Sequence, residues 1–211
     1  MVENGTDTNA LAVPTDFNTL SDATYSNCTI TVTDSAGNAN SAFSVNTFVV
    51  DTTAPTVNSV AISSASGVQN SLLNAGDNVS VTATFSEAVI VDNSSGNPTI
   101  TLAVGSDNRT ATYASGDNST ELVFQYTIQS GDNDSDGISI GANALALNSS
   151  TIRDRAGNIA TDLAHDPVDD NDDYKVDTAL PTLNSVAITG AEGVQNSFLN
   201  AGDNVSVTAT F

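Results

Sequence analysis

Residues 55–85 read PTVNSVAISSASGVQNSLLNAGDNVSVTATF, and residues 181–211 read PTLNSVAITGAEGVQNSFLNAGDNVSVTATF. Of the 31 aligned positions 26 are identical, at an offset of 126 residues. Asp51 and Asp177 stand at the same offset, shortly before each Pro. An interval that long specifies tandem domains, because solenoid units run to roughly 20–50 residues. Within the repeat the local period is two. Val79, Val81, Ala83 and Phe85 alternate with Ser80, Thr82 and Thr84, the pattern of a strand with one buried face.

The same period recurs outside the repeat. Leu122, Phe124, Tyr126 and Ile128 alternate with more polar neighbours, as do Ile100, Leu102 and Val104, and Ile30 and Val32. Clusters of turn formers separate these runs, among them Asn74–Asn78 (NAGDN), Asn93–Asn97 (NSSGN) and Ser115–Asn118 (SGDN). Strands are expected near 57–62, 79–85, 98–104, 109–114, 122–128, 144–153 and 173–177, with room for a short helical turn near 142–148. Seven short antiparallel strands in one repeat predict an all-β chain of tandem immunoglobulin-like β-sandwiches. No Cys-Trp-Cys core accompanies them, so the likeness is one of architecture.

The phase of the repeat divides the chain. One complete sandwich is expected at 52–178. Residues 1–51 read as the C-terminal part of a preceding unit, and 179–211 as the N-terminal part of the next. Phe211 falls where its twin continues as Ser86–Val89 (SEAV), so the chain is expected to be a fragment of a longer array. A strand cut at 205–211 exposes an apolar edge.

Composition narrows the function. Of 211 residues 25 are acidic and 4 basic, a net charge of -21. Arg109, Arg153, Arg155 and Lys175 cannot form the basic stripe that nucleic acid requires. An anionic membrane surface repels such a chain, and no apolar run reaches the roughly 18–20 residues of a transmembrane helix. Asn, Ser and Thr make up 76 residues, a disorder-prone composition, yet the apolar residues fall in ordered alternation. The start Met1–Gly5 has neither the basic nor the apolar region of a signal peptide. Cys28 is a lone cysteine, expected as a small buried hydrophobe.

Carboxylates are the only abundant reactive groups. Asp132, Asp134 and Asp136, followed by Gly137, match the opening of a calcium loop. Position 12 of that loop is Asn143, not the bidentate Glu of an EF-hand. The run is either a calcium turn closed by distant ligands or a solvated acidic turn. A second group follows from strand direction. If successive strands alternate, Glu87, Asp154, Asn158 and the linker acid Asp51 gather at one end of the unit. Asp77, the 132–136 loop and Asp177 then gather at the other. Close carboxylates repel by roughly 1 kcal/mol per pair at 4 Å in water, and a calcium ion reverses that sign. The run 166–173 carries five further acids, which either bind calcium or, the favoured reading, form a solvated loop. His165 is the sole histidine and is expected at the surface. No nucleophile motif accompanies it, and no Trp is present to stack a sugar beside paired carboxylates. The chain is therefore expected not to be an enzyme. A recognition module would need an exposed aromatic patch, for which Tyr113, Phe124 and Tyr126 are the candidates.

Val50–Pro55 (VDTTAP), Phe85–Val89 (FSEAV), the Gly131–Gly137 turn and Asp154–Asn158 (DRAGN) together resemble the bacterial immunoglobulin-like repeats of giant surface adhesins, of the biofilm-associated and repeats-in-toxin types. Residues 1–51, with Asp34–Asn38 (DSAGN), resemble the tail of a related unit. The resemblance implies secreted, non-catalytic extender modules at the bacterial cell surface, whose partners are neighbouring repeats. It also implies calcium at the junctions, held by Asp51, Asp177, Glu87 and Asp154. The second junction departs in having Leu180 where the first has Ala54.

Overall fold

The computed structural model describes residues 2–3 and 20–211. Most of the expected signal-free start and much of the expected partial unit 1–51 lie outside the described residues. The described chain is almost wholly β. Its N-terminal part holds β1 (Val2–Glu3), β2 (Ala23–Tyr25), β3 (Thr29–Val32), β4 (Phe43–Ser44) and β5 (Phe48–Val50). β1 runs parallel to β3, while β3 with β4 and β2 with β5 are antiparallel.

Ten strands follow, from β6 (Val57–Ser66), β7 (Leu72–Leu73), β8 (Asn78–Asp92), β9 (Thr99–Val104) and β10 (Asp107–Ser115) to β11 (Ser119–Thr127), β12 (Asn133–Asp134), β13 (Leu145–Ala146), β14 (Thr151–Arg153) and β15 (Lys175–Asp177). The main sheet runs β13-β9-β10-β11-β8-β14, with β6 also on β8. A second, small sheet runs β12-β15-β7. The inward residues of β8, β9 and β11 supply the alternation seen in the sequence. Val79, Val81, Ala83, Ile100, Leu102, Leu122 and Phe124 are all fully buried. The core cluster lies entirely between Val57 and Val176. The architecture is that of an all-β sandwich-like fold.

Three expectations need correction. The strand expected to end at Phe85 continues to Asp92. It does so through a register break against β11, where Glu121 pairs with Thr84 but Ser119 pairs with Val89. Residues 85–88 thus form a wide bulge, a feature that re-aims side chains. The strand expected at 144–153 is two strands on opposite edges: β13 pairs with β9, and β14 with the far end of β8. Asn148 and Ser149 adopt positive φ (50° and 70°) between them, and that turn carries the chain from one edge to the other. No helical turn forms at 142–148. One 3-10 turn, Asp172–Tyr174, precedes β15.

The C-terminal segment forms β16 (Ser185–Glu192) and β17 (Asn204–Thr210), which among the described residues pair only with each other. Their apolar side chains are exposed, among them Val186, Ile188 and Val207, as is Phe211 just beyond β17.

Candidate functional site

The bulge at 85–88 places Glu87 beside two acids from distant parts of the chain. The carboxylates of Asp51, Glu87 and Asp154 lie within 4.8 Å of one another, with Asp154 buried and the other two half-buried. Strand-direction reasoning had set these three at one end of the unit, together with Asn158. Each side chain has its own local support. Asp154 opens the DRAGN turn: its Oδ1 accepts from the Gly157 and Asn158 N–H groups at 2.6 and 2.8 Å, and its Oδ2 from Asn158 Nδ2 at 2.7 Å. Gly157, at φ 103°, permits that closure. Asn158 Nδ2 also donates to the Asp51 carbonyl at 3.1 Å. Both of its N–H bonds are then committed, which leaves the amide oxygen as its free acceptor. Asp51 Oδ1 accepts from the Thr53 N–H at 3.1 Å.

The electrostatics set Glu87 apart. Burial, then the charges of Asp51 and Asp154, push its carboxyl above the ordinary value of 4.5. For Asp154 burial acts in the same direction, but the hydrogen bonds from Asn158, Gly157 and Ala156 outweigh it and hold the carboxyl below 3.8. Among the described residues the ion pairs involve only Arg109 and Lys175, so no cation answers the triad. Three carboxylate oxygens gathered this closely are hard donors of the kind calcium takes. The residues present fit such an ion.

The DNDSDG run is arranged differently. Asp132 is buried, and both its oxygens are engaged. Oδ1 meets Arg109 Nε at 2.7 Å, while Oδ2 accepts from the Tyr126 hydroxyl at 2.5 Å and the Gln129 N–H at 2.8 Å. Burial pushes the Asp132 carboxyl up; Tyr126, Gln129 and Arg109 together outweigh it and hold it below 3.8. Burial first, then the bond to Asp132, raises the Tyr126 phenol to about 12. Asp134 is also buried. It accepts from the Gly105 N–H at 2.7 Å through Oδ2, and from the Gly137 N–H at 2.7 Å through Oδ1. Calcium-loop ligands must aim at a common centre, whereas these two carboxylates brace the loop against β10, β11 and Gly105. The turn acts here as a rivet, and Asp136 remains exposed beside it. Asp177 lies opposite Asn133 in the β12–β15 pair, at the end of the unit assigned to it.

Other candidates fall into place around this frame. His165 is buried, not at the surface as expected. Its Nε2 accepts from the Ala144 N–H at 2.8 Å, and its Nδ1 meets the Asp166 carbonyl at 2.8 Å. The ring ties two loops together. Within 166–173 all five acids are exposed, and Asp172 pairs with Lys175 at 2.9 Å. Cys28 is half-buried. Of the aromatic residues considered for recognition, Phe124 and Tyr126 are buried and Tyr113 is half-buried, packed edge-on against Phe124 at 6.0 Å. The Arg109–Asp132–Tyr126 group was missed from sequence. Its only signal was Arg109 itself, one of four cations and placed mid-strand. Among the described residues no helix is long and apolar enough to cross a membrane. Comparison with protein-family models, with curated proteins and with solved structures gave no match.

Proposed function

We propose that this chain is a non-catalytic extender segment of a bacterial cell-surface adhesin, built from tandem immunoglobulin-like units and stiffened by calcium where units meet. The observation that carries this reading is the gathering of Asp51, Glu87 and Asp154 within 4.8 Å, with no ion pair to any of them among the described residues. Asp51 belongs to the linker, Glu87 to the bulge of β8, and Asp154 to the loop after β14. An ion on all three ties the incoming linker to the body of the unit. The recurrence of a 31-residue stretch at an offset of 126 residues supports a stalk, and the high negative charge keeps such stalks hydrated and apart. Secretion and a role in adhesion or biofilm formation belong to the same proposal. Neighbouring repeats are the partners; nucleic acid and direct membrane contact have no place in it.

Calorimetric titration with calcium tests the reading. The expected result is one site with affinity in the range of extracellular modules, roughly 0.1–1 mM, lost in Glu87→Gln and Asp51→Asn. Absence of binding heat, with identical melting curves in calcium and in chelator, overturns the metal reading and leaves a plain stalk.

A further inference from the structure

The linker leaving each unit is gripped by hydrogen bonds that involve no carboxylate of the triad. In the β2–β5 pair Ala23 faces Val50, so Asp22 stands one step further out, opposite Asp51. In the β12–β15 pair Asn133 faces Asp177. Asp22 and Asn133 are therefore equivalent positions on two units that otherwise share little sequence. Both hold the residue after the linker acid. Asp22 Oδ1 accepts from the Thr52 N–H at 2.9 Å and the Thr52 hydroxyl at 2.6 Å. Asn133 Oδ1 accepts from the Thr178 N–H at 3.3 Å. The Thr178 hydroxyl turns instead to the backbone, donating to the Asp132 carbonyl at 2.9 Å and accepting from the Gly131 N–H at 2.9 Å.

The grips differ in reach. Asp22 Oδ2 also accepts from the Thr53 hydroxyl at 2.6 Å. The equivalent residue at the second junction is Ala179, which has no hydroxyl to offer. The first linker is also held from its far side: Asn158 Nδ2 donates to the Asp51 carbonyl, and Thr56 and Ser86 exchange two bonds at 3.0 and 2.9 Å. A continuous chain of contacts thus runs from Asp22 through residues 51–56 to the body that follows. Hydrogen bonds to a carboxylate are the stronger kind.

We infer that Asp22 is a positioning residue whose clasp on Thr52 and Thr53 fixes the direction of the linker without any ion, and that Asn133 makes a shorter clasp of the same design on Thr178. The inference rests on units being strung end to end, and it does not depend on calcium. Amide hydrogen exchange of the full chain in EDTA, followed by NMR, tests it. The Thr52 amide is expected to exchange about tenfold or more slowly than in Asp22→Ala, and more slowly than the Thr178 amide. Asp22→Asn, which keeps an acceptor oxygen, restores part of the protection. Residual dipolar couplings from 23–25 and 57–62 fit one alignment tensor in the wild type and two in Asp22→Ala. The Val81 amide serves as the control and stays protected throughout. Free-peptide exchange at Thr52 in EDTA, or unchanged exchange in Asp22→Ala, overturns the clasp. Loss of calcium binding heat leaves these readouts untouched, so the two proposals fail separately.

Discussion

The hairpin β6–β8 and the hairpin β16–β17 have nearly the same sequence and the same local structure, yet only one is buried. Both pairings are antiparallel, and both slip at the same place, between Ile62 and Ser64 in one and between Ile188 and Gly190 in the other. Both turns put Asn and Ser at positive φ: 53° and 62° at Asn70 and Ser71, 50° and 67° at Asn196 and Ser197. Both close with a carboxylate on a backbone N–H, Asp77 on Asn74 at 2.8 Å and Asp203 on Asn200 at 2.5 Å. The difference is on the apolar face. Phe85 is 2% exposed and its twin Phe211 74%; Val81 is 0% exposed and Val207 61%. Local residues therefore specify the hairpin, whereas its burial comes from the core cluster between Val57 and Val176, which includes only the first hairpin.

The largest way to test that division is truncation at equivalent positions. Phe85→Ala empties a fully enclosed site and is expected to lower stability by about 3–5 kcal/mol. Phe211→Ala removes the same atoms from solvent and is expected to stay within about 0.5 kcal/mol. Denaturant melts of both variants decide it, and equal losses mean that the second hairpin is packed in solution. Calcium extends the comparison to the linkers. At the first junction Asp51 has Glu87 and Asp154 beside it, while no such group forms at Asp177 among the described residues. Calcium at 100 times its dissociation constant is expected to stabilise by about 2.7 kcal/mol. Asp51→Asn abolishes that gain and Asp177→Asn leaves it. In chelator Glu87→Gln is expected to stabilise slightly, because it removes a carboxylate that Asp51 and Asp154 repel.

The contrast also shows what a sequence can and cannot reveal. Period-two alternation exposed the core faces of β8, β9 and β11 because burial on one side of a strand is a local rule. Strand parity reached the Asp51, Glu87 and Asp154 group although two of its premises differ from the fold: Glu87 sits in a bulge within β8 and not in a loop after it, and 144–153 is two strands. The bulge at 85–88 was not legible, since a run of Phe-Ser-Glu-Ala ends a strand as readily as it bulges one. Nor was the fate of Asp132, because an alternating acidic run looks the same whether its oxygens face an ion or Arg109. That half-buried pair makes the next prediction. Arg109→Met leaves Asp132 with the Tyr126 and Gln129 donors only and is expected to lower stability at neutral pH, because a buried carboxylate then has no cation beside it. Because the folded Asp132 carboxyl is held below 3.8, its contribution is complete above that value and is lost as pH falls through the lower folded value. The gap between wild type and Arg109→Met in acid melts therefore narrows below about pH 4. A constant gap means that Arg109 acts by packing and not by charge.

The smallest effect reaches the local code itself. Gly67 has φ 94° and Gly193 φ 86°, and a Cβ at either would strike the carboxylate that closes its turn, Asp77 or Asp203. The strain of placing Ala there is expected to cost about 1–2 kcal/mol in both hairpins. It should surface in different observables. Gly67→Ala lowers the melting temperature, because β6 and β8 carry the core. Gly193→Ala leaves that temperature in place and speeds amide exchange along β16 and β17 alone, because among the described residues no other strand pairs with them. A Gly193→Ala variant that melts as early as Gly67→Ala would show that the second hairpin shares the stability of the first. Its exposed face would then have found a partner surface in solution.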